Sequence, residues 1–181
     1  MRIVVADDSV LLREGVVRLL EEAGFEVVAQ AGDAEDLLRK VGAHKPDVAI
    51  VDVRMPPTHT DEGLRAAAEI REKHPETGVL VLSQYIEEAY AMELLSSNAE
   101  GVGYLLKDRV ADLDEFTAAV RRVGEGGSAL DPEIVSLLVG RRRGGGLGGL
   151  GDRVAALGGE LALESPVGGG TTLRAEIPCE L

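Results

Sequence analysis

Four short, wholly apolar and largely β-branched runs punctuate the chain, and each ends in a polar residue. IVVA (Ile3–Ala6) runs into Asp7-Asp8, VAIV (Val48–Val51) into Asp52, VLVL (Val79–Leu82) into Ser83, and GYLL (Gly103–Leu106) into Lys107. Runs of this length and kind predict strands buried on both faces. With a further strand over 26–31, the pattern is five β-α units. The helices are predicted from about Ser9 to Ala23, Asp33 to Ala43, Asp61 to His74, 86 to 96 and 110 to 123. Gly24 stands where a C′ glycine ends a helix, Asp33 where an N-cap begins one, and Pro75 where a helix stops. In the last helix Leu113, Phe116, Ala119, Val120 and Val123 form one apolar stripe. Strands alternating with helices imply an α/β fold with a parallel, doubly wound sheet.

Beyond residue 123 the pattern weakens. Pro132 suits the first position of a short helix ending near Gly140, and RRRGGG (Arg141–Gly146) reads as a linker. A helix over about 148–157 and two alternating strands, 160–165 and 171–177, follow as a helix plus β-hairpin appendage. The predicted divisions are 1–125, 126–146 and 147–181. Composition supports a break near residue 140: no aromatic follows Phe116, and 12 of the 23 glycines lie between Gly140 and Gly170.

The net charge is −13, and residues 1–130 carry most of it, with 25 acidic against 14 basic side chains. Neither part offers a basic nucleic-acid surface. The lone Cys179 fits a reducing compartment. The opening MRIVVADDS turns acidic where a signal peptide would stay apolar, and no run approaches the roughly 18 residues of a membrane span. The expectation is a cytoplasmic protein with no membrane partner.

In doubly wound sheets, ligands sit beyond the carboxyl ends of the strands, at the switch in strand order. All four polar endings fall on that rim. Asp7, Asp8 and Asp52 would bring three carboxylates together, and such like charges need a cation or a raised pKa. A hard divalent ion such as Mg²⁺ suits oxygen-only ligation. One carboxylate would then serve as nucleophile toward a phosphoryl group, with Lys107 pairing its oxygens and the Ser83 hydroxyl donating to one. The plainer alternative is that Asp7 and Asp8 favour the N-terminus of the first helix through its dipole. That reading leaves Asp52, Ser83 and Lys107 unexplained. His44, His59 and His74 lie in predicted loops or helix ends, without metal-ligand spacing, and are expected to be solvated.

The set MRIVVADDSVLLREG, VDVRMPP, VLVLSQY and GYLLKDRV resembles the receiver domain of two-component response regulators, of the subfamily that carries a LuxR-type (NarL-type) helix-turn-helix. The resemblance covers about residues 1–140. It implies a flavodoxin-like fold with five strands in the order 2-1-3-4-5, and Asp52 as phosphoacceptor. Mg²⁺ would be held by Asp8 and Asp52 with Asp7 close by and the Arg54 carbonyl as a further ligand. Lys107 would bind the phosphoryl group, and Ser83 and Tyr104 would be the switch pair, although a strand aromatic such as Tyr104 more commonly just packs. The implied partner is a sensor histidine kinase. The implied chemistry is Mg²⁺-dependent self-phosphorylation and slow acyl-phosphate hydrolysis, without turnover of an external substrate. The output would be a protein contact or a homodimer through the face of helix 86–96, strand 102–106 and helix 110–123.

The tail departs from that subfamily. GGGLGGLGDRVAALGGELALESPVGGGTTLRAEIP resembles the end of the ATP-binding domain of sensor histidine kinases, without that family's Asn-bearing and Asp-x-Gly-x-Gly motifs. Nothing after Gly144 shows the two adjacent helical patterns of a helix-turn-helix, so DNA contact through this tail is not expected. A DNA-binding transcriptional regulator with an altered tail is the alternative.

Overall fold

The computed structural model describes residues 1–87 and 100–140 and the strand backbones 160–164 and 172–176. The chain forms two compact units, Met1–Asp131 and Pro132–Leu181.

In the first unit the predicted alternation is present: β1 (Arg2–Ala6), α1 (Val10–Glu22), β2 (Glu26–Ala31), α2 (Ala34–His44), β3 (Val48–Asp52), α3 (Glu62–Lys73), β4 (Gly78–Ser83), β5 (Val102–Leu106), α4 (Leu113–Gly124) and β6 (Ala129–Leu130). All pairings are parallel, and the order is β2-β1-β3-β4-β5-β6. The five expected strands take the expected order. The sixth, β6, corrects the count: it sets Gly103 opposite Ala129 and Tyr104 opposite Leu130. Two residues are too few to show a period, so this strand left no pattern in the sequence. It also carries the first unit past residue 125 to Asp131.

The local signals act as their chemistry requires. Ser9 and Asp33 cap α1 and α2, accepting from the N–H of Leu12 and of Asp36. Gly24 follows α1 at φ 85°, a conformation open to glycine. The last helix of this unit starts later than residue 110. Lys107–Ala111 forms a 3₁₀ turn, and Asp112 then caps α4 by accepting from Glu115 N–H. The expected helix over 86–96 lies outside the described residues from position 88 onward, as does the one over 148–157.

Strands β3 and β4 are buried along their whole length. The core joins Ile3, Val5, Ile50 and Leu80 of the sheet to Val16, Leu20, Phe116 and Val120 of the helices. Fully burying one such side chain stabilises by about 1.5–3 kcal/mol, so the sheet is a rigid platform for its carboxyl-end rim.

In the second unit α5 (Pro132–Gly140) starts on its proline, as expected. β7 (Glu160–Glu164) and β8 (Thr172–Glu176) pair antiparallel, with Leu161 opposite Ala175 and Leu163 opposite Leu173.

Candidate functional site

The rim is built from strand ends that the core holds in place. Asp7 follows β1 and is buried. Its N–H donates to the Ala31 carbonyl at 3.2 Å, and its Oδ1 accepts from Ser9 N–H at 2.8 Å. Arg13 of α1 donates to the Asp7 carbonyl at 2.5 Å and to Gln30 Oε1 at 3.2 Å, fixing this turn against β2. Asp52 is the last residue of β3 and is 5 % exposed. It accepts from the backbone N–H of Arg54. Lys107 begins the 3₁₀ turn after β5, and its Nζ lies 2.9 Å from Asp7 Oδ2 and 3.0 Å from Asp52 Oδ2.

The three acids converge as the sequence predicted. Asp7, Asp8 and Asp52 each offer a carboxylate oxygen, and these oxygens lie within 4.8 Å of one another. Asp7 and Asp52 form the floor, while the Asp8 side chain stays 34 % exposed at the mouth. The helix-dipole reading of Asp7 and Asp8 captures only part of this. The cap of α1 is Ser9 and its first turn holds no acid, whereas the second oxygen of Asp7 serves Lys107.

One ammonium thus faces two buried carboxylates. Burial is the foremost influence on Asp52 and pushes its carboxyl above the usual range, helped by the Asp7 charge. The Lys107 charge and the Arg54 amide pull the other way without prevailing. For Lys107 burial is again the largest influence and favours the neutral amine, but Asp7 and Asp52 together raise its pKa above the ordinary value.

The switch candidates sit on neighbouring strands. Ser83 closes β4, is buried, and donates its hydroxyl to the Tyr85 carbonyl at 2.6 Å. The sequence reading has this hydroxyl donating to a phosphoryl oxygen; here it is held by the Tyr85 carbonyl. Tyr104, on β5, is fully buried. Arg54, whose carbonyl was expected as a ligand, sends its guanidinium to Glu87 Oε1 at 2.6 Å.

Three further residues shape the site without having stood out in the sequence. Gly63, in the first turn of α3, packs so closely on β3 that a Cβ would lie 1.7 Å from the Asp52 carbonyl oxygen. His59 is not simply solvated, since its Nδ1 lies 3.3 Å from Asp8 Oδ2. Glu62 accepts from the backbone N–H groups of Thr58 and Thr60, each at 2.9 Å, and also from the Thr58 hydroxyl. These bonds, the Thr58 hydroxyl first, hold its carboxyl down at about 2. The period of α3 marks Gly63 only as a weak helix position, and contacts between loop and rim leave no period at all.

The donors fit a small, hard cation. They are all carboxylate oxygens, they carry more negative charge than Lys107 neutralises, and one of them is open to water. Ligands about 2 Å from a shared octahedral ion stand no more than about 4 Å apart, so the observed spacing closes on an ion with small side-chain movements. Among the described residues no helix is long and apolar enough to cross a membrane.

Comparison with known proteins agrees with this geometry. Residues 3–121 match the family described as the response regulator receiver domain. Over 140 residues the chain is 39 % identical to the oxygen regulatory protein NreC of Staphylococcus haemolyticus, covering 77 % of this chain and 62 % of that one. It is 37 % identical to the transcriptional regulatory protein DegU of Brevibacillus brevis, covering 77 % of this chain and 56 % of that one. The chain therefore spans somewhat under two thirds of the length of these relatives. Among solved structures, the signal receiver domain of the response regulator NarL from Mycobacterium tuberculosis superposes with a TM-score of 0.60 at 39 % identity, covering 69 % of this chain and 96 % of that one.

Proposed function

The chain belongs to the response regulator receiver family, and from that premise we propose that it accepts a phosphoryl group on Asp52 from a sensor histidine kinase. The observation that carries this reading is the Lys107 ammonium 3.0 Å from an Asp52 carboxylate that shares its pocket with Asp7 and Asp8. An Asp52 oxygen attacks phosphorus, the bond from phosphorus to the donor breaks, and the donor leaves with the electron pair. Lys107 neutralises the phosphoryl oxygens and stays within reach of Asp7. Asp7 and Asp8, with Asp52 and the Arg54 carbonyl, would hold Mg²⁺, which when bound supplies charge neutralisation to the transferring group. Slow hydrolysis of the acyl phosphate resets the protein, and no external substrate is turned over.

The switch reading follows from the same placement. The Ser83 hydroxyl exchanges its Tyr85 carbonyl for a phosphoryl oxygen, and Tyr104 on the adjacent strand repacks, which alters the face carried by β5 and α4. The output is a protein contact or a dimer. A second reading, regulation of transcription through DNA, is favoured by the relatives, one of which is a transcriptional regulatory protein. A gel shift that weakens steeply with salt distinguishes it from a protein output. For the tail, the antiparallel hairpin β7–β8 supports the likeness to the end of a kinase ATP-binding domain, and nucleotide binding is no part of the proposal.

The phosphorylation test is direct. A small phosphodonor with Mg²⁺ adds one phosphoryl group to the wild-type chain, as read by mass spectrometry, and adds none to Asp52→Asn. Equal labelling of the variant would refute the assignment.

A further inference from the structure

The loop between β3 and α3 is tied down on both sides of one residue. Thr58 and Thr60 each give their backbone N–H to the Glu62 carboxylate, and His59 N–H donates to the Met55 carbonyl at 3.1 Å. His59, between the two threonines, has φ 55°. That left-handed conformation is uncommon outside glycine, although Asn, Asp and His adopt it more readily than most. The clamp aims the imidazole at the site mouth, where Nδ1 lies 3.3 Å from Asp8 Oδ2. Asp8 is also the acid of the cluster that most needs a tether. Asp7 is fixed by Ser9 N–H and Lys107, and Asp52 by Arg54 N–H and Lys107. A carboxylate open to water and free to rotate must lose rotamer entropy each time it binds an ion.

We propose that His59 is a positioning residue for the divalent cation: clamped by Glu62, it holds Asp8 in the ligating orientation without itself touching the ion. Such outer partners of metal-ligating carboxylates set affinity as well as geometry. The competing account is an exposed ion pair of little consequence, as surface pairs commonly are. The proposal rests on the reading of Asp7, Asp8 and Asp52 as a cation site.

Two substitutions separate the accounts without disturbing the backbone. His59→Gly keeps the left-handed conformation and removes the imidazole that contacts Asp8. His59→Asn tolerates that conformation and places an amide nitrogen on Cγ, where the imidazole carries Nδ1. Mg²⁺ affinity is measured by titration calorimetry on the full chain, with thermal unfolding in chelator as the control. The expected result is that His59→Gly weakens Mg²⁺ binding by about tenfold or more, that His59→Asn recovers most of the loss, and that metal-free stability is close to wild type in both. Unchanged Mg²⁺ affinity in His59→Gly overturns the proposal, and so does a His59→Asn variant as weak as the glycine. Mn²⁺ in place of Mg²⁺ gives a spectroscopic arm: a directly coordinated imidazole nitrogen in its electron spin-echo spectrum would also overturn it. Failure of the wild-type chain to bind Mg²⁺ at all would instead remove the cation site on which the inference rests.

Discussion

At Asp52 the chemistry of the site and the stability of the fold oppose each other. The carboxyl titrates above its ordinary value of 3.8, chiefly through burial. The folded state therefore holds this proton more tightly than the unfolded chain does. Ionising Asp52 costs the folded state stability, and that cost appears as pH rises from 3.8 through the higher folded value and persists above it. Asp52→Asn removes the cost and leaves Lys107 paired with Asp7. In metal-free buffer the variant should melt above wild type at pH 7, with the two converging as pH falls toward 4. Calorimetric scans across that range check the sign, and a gap that widens on acidification would contradict it. The site acids themselves were legible in the sequence because each ends an apolar run. Where the Ser83 hydroxyl points was not, because a nearby carbonyl competes for it and leaves no trace in spacing.

Among the elements, α3 has the tightest tolerance. Its Gly63 N–H donates to the Val53 carbonyl at 3.0 Å, and its missing Cβ leaves room for the Asp52 carbonyl. A methyl at 1.7 Å from a backbone oxygen in a fully buried strand cannot be absorbed by a rotamer change. Overpacking commonly costs about 1–3 kcal/mol, and Gly63→Ala should reach the top of that range or pass it in urea unfolding. It should also lower phosphoryl labelling, because α3 can only yield by shifting the end of β3. Had a side chain rather than a backbone atom been the neighbour, the loss would be slight. Helices and strands of this unit were readable from period and caps, as Asp33 and Gly24 illustrate. What escaped were the shortest pieces: β6, the five-residue 3₁₀ turn that delays α4, and the loop contact of His59. These are fixed by partners distant in the chain, which a local pattern does not encode.

For the whole molecule, the division at Asp131 and Pro132 falls on an ion pair whose carboxylate is buried. The Asp131 carboxylate is fully enclosed and takes Arg109 Nε at 2.9 Å, Arg109 Nη2 at 3.3 Å and Leu106 N–H at 3.3 Å. The turn that presents Lys107 to the acids therefore also anchors the residue from which the second unit departs. If the output is self-association, light scattering of the full chain should show the mass rising toward a dimer when phosphodonor and Mg²⁺ are added, and Asp52→Asn should stay at its starting mass. A mass indifferent to phosphodonor would leave contact with a different protein as the output. The compositional break near residue 140 pointed to a second unit. The proline at its start was readable as a first helical position, whereas the Arg109–Asp131 pairing just before it joins residues 22 apart and leaves no local pattern.

Lys107 and Asp7 meet across 100 positions of chain. A ribosome must therefore deliver the first five strands before the acidic cluster gains its neutralising ammonium. Until then the growing polypeptide holds these acids without the ammonium that pairs with Asp7 and Asp52 in the folded unit. A chain cut short upstream of position 107 lacks both of those pairings.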